Sequence, residues 1–373
     1  MEFIDLKTQY CAYKDSIDEA MRSVLAEAEF IGGRYVELFE EELAGYVGRK
    51  HCVTCGNGTD ALQLAYMAYG IGQGDAVFCP DMTFIASVEP AVMLGATPVF
   101  CDIDPVSYNL SPSDLERQVC KVEAEGALTP KMVVAVDFLG NPADMDALQD
   151  VCEKHGLLLI EDAAQGIGGE YKGKRLGGFG DIATTSFFPS KPLGCYGDGG
   201  AVLTDDDGIA ELLSSLRVHG KGESKYDNVR IGINSRLDNL QAAVLHVKLS
   251  RLEDEMKTRQ EIALRYQKAL GCAIACPIVA DDCRSAYAQY VILAKDETAR
   301  GRLAQSLHAR GVPSLVYYPR PLHEMKALAA SSNGSFPCAA QYARRNLGLP
   351  FSPFISFEDQ SSVIEAVLEA IGG

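Results

Sequence analysis

Between residue 51 and about residue 205 the chain repeats one pattern: the runs HCVTC, GDAVFCP, ATPVFCDI, KMVVAVDF, GLLLIED, IATTSFF and GAVLTD, with helical patterns between them. Strand and helix alternating in this way build a sheet with crossover helices. Stretches such as VVAV and LLLI have no polar alternation, so their strands are buried on both faces, and the sheet is mostly parallel. TDALQLAYMAYG, with Gly70 as a stop, and ADMDALQDVCEKHG, ending at Gly156, are two of the covering helices. The class is α/β.

The pattern changes after residue 237. A charged amphipathic stretch to about 270 has apolar residues at helical spacing and is a connecting helix or a pair. YAQYVILA, the helix around ARGRLAQSLHARG, and VPSLVYYP then suit a smaller α+β unit. At 373 residues the chain is too long for one small core. Two domains are expected, 1–250 and 251–373. No repeat period is present, which removes solenoids and propellers.

Charge narrows the partners. A formal charge of −17, with no Lys/Arg cluster, opposes binding to nucleic acid or to an anionic membrane. The start MEFIDLKTQY has neither the basic residues nor the apolar run of a secretory signal, and a cytoplasmic protein is expected. Twelve cysteines scattered through strands and helices read as free thiols that pack as small apolar groups. Cys52 and Cys55 have CxxC spacing, but no second pair completes a zinc site, so no metal is expected.

Three groups of residues fall at strand ends, where an open parallel sheet forms its ligand crevice. In CGNGTDALQLA, Gly56 and Gly58 permit a tight turn, and Thr59 and Asp60 open a helix whose free N–H groups suit a phosphate; a simple helix cap is the alternative. In LLLIEDAAQGIGG, strand alternation sets Asp162 on the face opposite Glu161, beside Ala163 and Ala164, which leave room for a flat ligand. A helix cap is again the alternative for Asp162. In TTSFFPSKPLGCYGDGG, Lys191 lies between Pro189 and Pro192, and GDGG allows close backbone approach. A lysine held and partly buried in such a turn has a depressed pKa and a nucleophilic amine, as Schiff-base chemistry requires. Phosphate cradle, aspartate and lysine together describe a site for pyridoxal 5'-phosphate (PLP).

On these stretches, and on FIDLKTQY, PDMTFIAS, GATPVFCDID, RVHGK and GINSRLDNLQAAVL, the chain resembles, nearly end to end, the PLP-dependent nucleotide-sugar aminotransferases of the DegT/StrS type. The resemblance implies the aspartate-aminotransferase (fold type I) architecture. It implies that Lys191 binds the cofactor covalently, Asp162 partners the pyridinium nitrogen, Gln165 neighbours the phenolic oxygen and Phe84 stacks on the ring. Gly58, Thr59 and Ser186 match phosphate donors. Asn234 matches a phosphate contact taken from the other subunit, which implies a homodimer with shared active sites. Phe30, Ser190, Arg236 and Tyr318 match substrate-contacting positions. Within the family the chain is most similar to bacterial enzymes that aminate a UDP-linked 2-acetamido-2-deoxy-3-oxo-glucuronate, with glutamate as amino donor and 2-oxoglutarate as its product.

One position departs from the family pattern. VYYPRP stands where the family commonly has His-Tyr-Pro, so Tyr317 replaces a histidine and Arg320 adds a cation. Tyrosine keeps a donor but gives up the charge-assisted contact that a protonated histidine makes. Arg236 and Arg320 are candidates for clamping a carboxylate, with surface ion pairs as the alternative. An aminotransferase for another UDP- or dTDP-linked 3- or 4-ketosugar is the second expectation. A PLP sugar dehydratase would lack Lys191, and a non-catalytic sensor would have lost Lys191, Asp162 or the cradle.

Overall fold

The computed structural model describes residues 1–224, 226–331 and 334–372. Each of the seven runs holds a strand: β1 (His51–Cys55), β2 (Asp75–Pro80), β3 (Thr97–Cys101), β4 (Thr129–Val136), β5 (Leu158–Asp162), β6 (Ile182–Ser186) and β7 (Gly200–Thr204). They form one sheet in the order β1-β7-β6-β5-β4-β2-β3. Only β7 runs against its neighbours. The mostly parallel sheet expected from unbroken apolar runs is therefore present, and its two faces pack separate cores. Ile160, Val134, Ile182 and Val202 face one core, and Leu159, Val133 and Ala135 face another.

Helices cover the sheet where the sequence places them. Met145–His155 stops at Gly156, whose left-handed φ of 67° turns its N–H back onto the Cys152 carbonyl. The stretch from 237 to 270 is a pair, Asn239–Leu249 and Leu252–Leu270. The second of these helices joins two cores. Leu252 and Met256 pack under the large sheet, while Ile262, Tyr266 and Leu270 join a cluster that reaches Val367. That cluster surrounds an antiparallel pair, β8 (Tyr290–Leu293) and β9 (Asn346–Leu349).

Two aspartates at neighbouring strand ends fasten the C-terminal part of the chain to the large sheet. Asp81, fully buried after β2, accepts from the His323 backbone N–H (2.9 Å) and lies 2.6 Å from His323 Nδ1, while its carbonyl accepts from Leu322 N–H (2.7 Å). Asp102, after β3, accepts from the Cys338 and Ala339 N–H groups (3.0 and 2.9 Å) at the start of the helix Pro337–Arg345. These are charge-assisted bonds to N–H groups that otherwise lack partners.

All twelve cysteines are free thiols, Cys52 and Cys55 among the buried ones and Cys11, Cys120 and Cys272 exposed. No cluster of metal-ligating side chains occurs among the described residues. No helix among them is long and apolar enough to cross a membrane.

Candidate active site

The strand ends open onto a cavity of about 700 Å³, large enough for a cofactor together with a sugar. One side is the start of the helix Gly58–Ala68. Its cap is Asn57, whose side chain accepts from Asp60 N–H (2.8 Å), so neither Thr59 nor Asp60 plays that part. The N–H groups of Gly58 and Thr59, in the first turn, have no acceptor among the described residues, and both residues line the cavity. A Cβ on Gly58 would stand 2.6 Å from that of Ser186, and one on Gly200 2.4 Å from the Asn57 carbonyl oxygen. The two glycines let three strand ends close into a single cradle, the close approach expected of GDGG being realised at Gly200.

Asp162 and Lys191 form the floor. Both carboxylates of the Glu161–Asp162 pair are buried, because the sheet is covered on both faces. Glu161 turns away from the cavity and accepts from the Gly177 and Phe179 N–H groups (2.8 and 2.7 Å). Asp162 faces the cavity and accepts from Ala164 N–H (3.2 Å) and Ser87 Oγ (3.0 Å). The segment after it contains no helix, so Asp162 is not a helix cap. Burial pushes its carboxyl above the usual range, against the pull of those two bonds and of Lys191. Lys191 is held in a turn by its own N–H to the Phe188 carbonyl (2.8 Å). Burial pushes its ammonium down, and Asp162 pulls the other way. A depressed amine beside a carboxylate that lacks a full counter-charge is what covalent amine chemistry requires.

The far wall comes from distant sequence. Tyr318 lies between Phe84 and Phe138 (ring centroids 5.8 and 6.1 Å apart), and its hydroxyl accepts from Gln165 Nε2 (3.3 Å). Gln165 Oε1 accepts in turn from Leu139 N–H (2.6 Å). Tyr317 lines the cavity beside Tyr318, and burial pushes its hydroxyl up to about 12. Ser190 lines it as well. Ser87 and Gln289 are among the members of this site that the sequence reading missed. Ser87, bridging Thr83 Oγ1 (2.9 Å) and Asp162, lies inside the PDMTFIAS stretch from which only Phe84 was drawn. Gln289, in the wall, gives no signal inside the strand-like AQYVIL.

Phe30, Asn234 and Arg236 do not line this cavity. They gather elsewhere: the Phe30 carbonyl accepts from Asn239 N–H (2.9 Å), and Ile31 bridges Asp238. Ser235 ties that segment to the back of the cradle, accepting from Gly56 N–H (2.8 Å) and donating to Asp60 (2.6 Å). Arg320 is exposed and outside the cavity wall. Neither arginine has an ion-pair partner among the described residues.

The donor set fits a phosphorylated pyridine aldehyde. Unpaired N–H groups and a serine stand ready for a phosphate, a buried carboxylate for a ring cation, an aromatic side chain for a ring face, and a lysine for an aldehyde. Fold and site together define a PLP-dependent transferase. The model of the DegT/DnrJ/EryC1/StrS aminotransferase family matches residues 12–368, and the chain belongs to that family. It is 43% identical to the UDP-2-acetamido-2-deoxy-3-oxo-D-glucuronate aminotransferase of Pseudomonas aeruginosa, over 95% of this chain and 96% of that protein. A DegT/DnrJ/EryC1/StrS aminotransferase from Brucella abortus superposes with a TM-score of 0.97 at 45% identity, with both chains fully covered. DesV of S. venezuelae, solved in complex with a ketimine intermediate, superposes with a TM-score of 0.92 at 38% identity, over 99% of this chain and 97% of that one. The protein is a PLP-dependent sugar aminotransferase of fold type I.

Proposed function

We propose that the protein moves an amino group from glutamate to the keto carbon of UDP-2-acetamido-2-deoxy-3-oxo-glucuronate, in an active site shared between two copies of the chain. The observation that carries the chemistry is the cavity floor, where Lys191 and Asp162 stand together beneath an open phosphate cradle. The substrate is suggested by the likeness to the P. aeruginosa enzyme.

Gly58, Thr59 and Ser186 would hold the cofactor's phosphate, Phe84 its ring face, Gln165 its phenolic oxygen, Asp162 its ring nitrogen and Lys191 its aldehyde carbon. Bound there, the cofactor supplies an electron sink conjugated to the amine in transit. Lys191 takes the proton from the α-carbon of glutamate, and in the second half of the cycle it returns one to the sugar carbon that carried the keto oxygen. Asp162, kept in place by Ser87 and Ala164, maintains a positive ring nitrogen throughout. Tyr317, Tyr318 and Phe84 keep water from the reacting carbon.

A second copy enters this reading because the resemblance gives Phe30, Asn234 and Arg236 to the site although they lie outside the cavity of their own chain. The exposed side chains near the two groups support such an association: Phe30 is 45% exposed, Phe84 54% and Ile231 88%. In this reading Asn234 completes the phosphate site of the neighbouring copy and Arg236 clamps the sugar carboxylate there. Single-turnover assays of the pyridoxamine form against UDP- and dTDP-ketosugars test the substrate, and a preference for any sugar without the carboxylate would overturn it. Mixing Lys191→Ala with Arg236→Ala tests the sharing. Dimers that re-pair at random would regain about a quarter of the wild-type rate, since each mixed dimer holds one intact site, and a mixture no more active than its components would rule the sharing out.

A further inference from the structure

Gln289 sits at the N-terminal edge of β8, is only 6% exposed, and forms part of the cavity wall with Tyr317 and Tyr318. It also borders a side pocket of about 20 Å³ formed with Phe138, Leu139 and Tyr287. Its Oε1 is sealed from solvent and has no hydrogen-bond partner. Its Nε2 likewise bonds to nothing among the described residues.

The other amides of this wall are fully engaged. Gln165 is bonded at both ends, to Leu139 N–H and to the Tyr318 hydroxyl. Asn346 accepts from Tyr317 N–H (2.7 Å) and donates to the Tyr318 carbonyl (3.1 Å). Gln165 and Asn346 hold the wall in place, whereas Gln289 holds nothing. A buried amide without partners costs stability, and a leucine of similar volume would fill the position without that cost.

We propose that Gln289 recognises the sugar, donating from Nε2 to a neutral oxygen of the ketosugar, an acetamido carbonyl or a hydroxyl. This rests on the ketosugar reading above. The polar side chains of the wall that share it with Gln289, namely Gln165, Tyr317 and Tyr318, are uncharged. Among the described residues, Lys191 is the basic side chain lining the cavity. A carboxylate is best met by a charged donor, and a neutral N–H suits a neutral acceptor. Glutamate presents two carboxylates and an amine, so acetamido and hydroxyl oxygens come from the sugar.

The test compares the holoenzyme and its Gln289→Leu variant in the two half-reactions, followed by cofactor absorbance: first with glutamate, then with whichever panel ketosugar the wild type converts. The expected result is a drop of about tenfold in kcat/KM for the sugar half-reaction, a glutamate half-reaction within about twofold of wild type, and an unchanged or higher Tm. Three results would overturn the proposal: both half-reactions unchanged, a loss confined to glutamate, or a lower Tm with equal loss in both. A wild type that rejects the UDP-uronate but converts another ketosugar refutes the proposed substrate and still leaves Gln289 on trial with that sugar.

Discussion

Asp162, Ser186 and the Gly58–Thr59 turn reach the cavity from strands and a helix of one sheet, and Lys191 follows β6 by a single tight turn. Tyr317, Tyr318 and Gln289 reach the same cavity from the C-terminal third of the chain, the two tyrosines placed by bonds to Asn346 and by the tilted contacts of Tyr318 with Phe84 and Phe138. The floor is fixed by register, because a strand end can point only one way once its neighbours are paired. The wall is fixed by individual side-chain contacts, each of which could change without moving a strand. In the function we propose, the floor sets the reaction type, and the wall together with Arg236 of a second copy sets the choice of substrate.

Substitutions sharpen that division, beginning with the most damaging. Lys191→Ala is expected to cut turnover by about 10⁴-fold or more, since covalent binding and proton transfer are both lost, with circular dichroism unchanged. Substantial activity in that variant would move the chemistry off the floor. Asp162→Asn keeps the shape and is expected to slow both half-reactions by roughly 10²- to 10³-fold, with a shifted cofactor absorbance band. A defect in the sugar half-reaction alone would place Asp162 with the wall.

Arg236→Ala is expected to cost roughly 2 to 5 kcal/mol in kcat/KM for the 3-keto uronate and far less for its 6-hydroxymethyl counterpart. Equal effects on both sugars would show that Tyr317 marks a change of substrate. The smallest effect concerns the layer under the floor. Asp137 is fully buried, and burial together with the neighbouring Glu161 holds its carboxyl well above the usual range. The folded chain keeps a proton there that the unfolded chain releases. The resulting stabilisation is complete below the ordinary carboxyl range and is lost as pH rises through the raised value. Asp137→Asn removes that titration, so its Tm should gain on the wild type by a few degrees at most from mildly acidic to alkaline pH. A constant gap would mean that Asp137 does not titrate in that interval.

The same contrast explains what could be read from the sequence. All seven strands were legible, because residues buried on both faces leave unbroken apolar runs, and Asp162 and Lys191 were legible as polar residues where such runs end. Asn57 was overlooked as the helix cap in favour of Thr59 and Asp60, since three polar residues compete within one turn and geometry alone decides between them. Ser87 acts through a bond to a strand 75 residues away, and no local pattern encodes such a contact. Gln289 lies in an apolar run that looks the same whether the amide is buried or solvated. Phe30, Asn234 and Arg236 were identified by resemblance, which already gave Asn234 to the site of the other subunit; that Phe30 and Arg236 also lie outside their own chain's cavity emerged only with the coordinates.

The paired aspartates behind the wall bear on motion. Lifting Leu322, His323, Cys338 and Ala339 away from the sheet would leave the buried Asp81 carboxylate without a donor and Asp102 with the Ile103 N–H alone. Such an opening is costlier than the fraying of an ordinary loop, and the amide protons of His323 and Ala339 should exchange with solvent as slowly as those of the central strands. The tyrosines five and six residues before His323 are therefore anchored from behind. In the function we propose, they serve as a fixed template against which a sugar is measured, rather than as a flap that folds down over it.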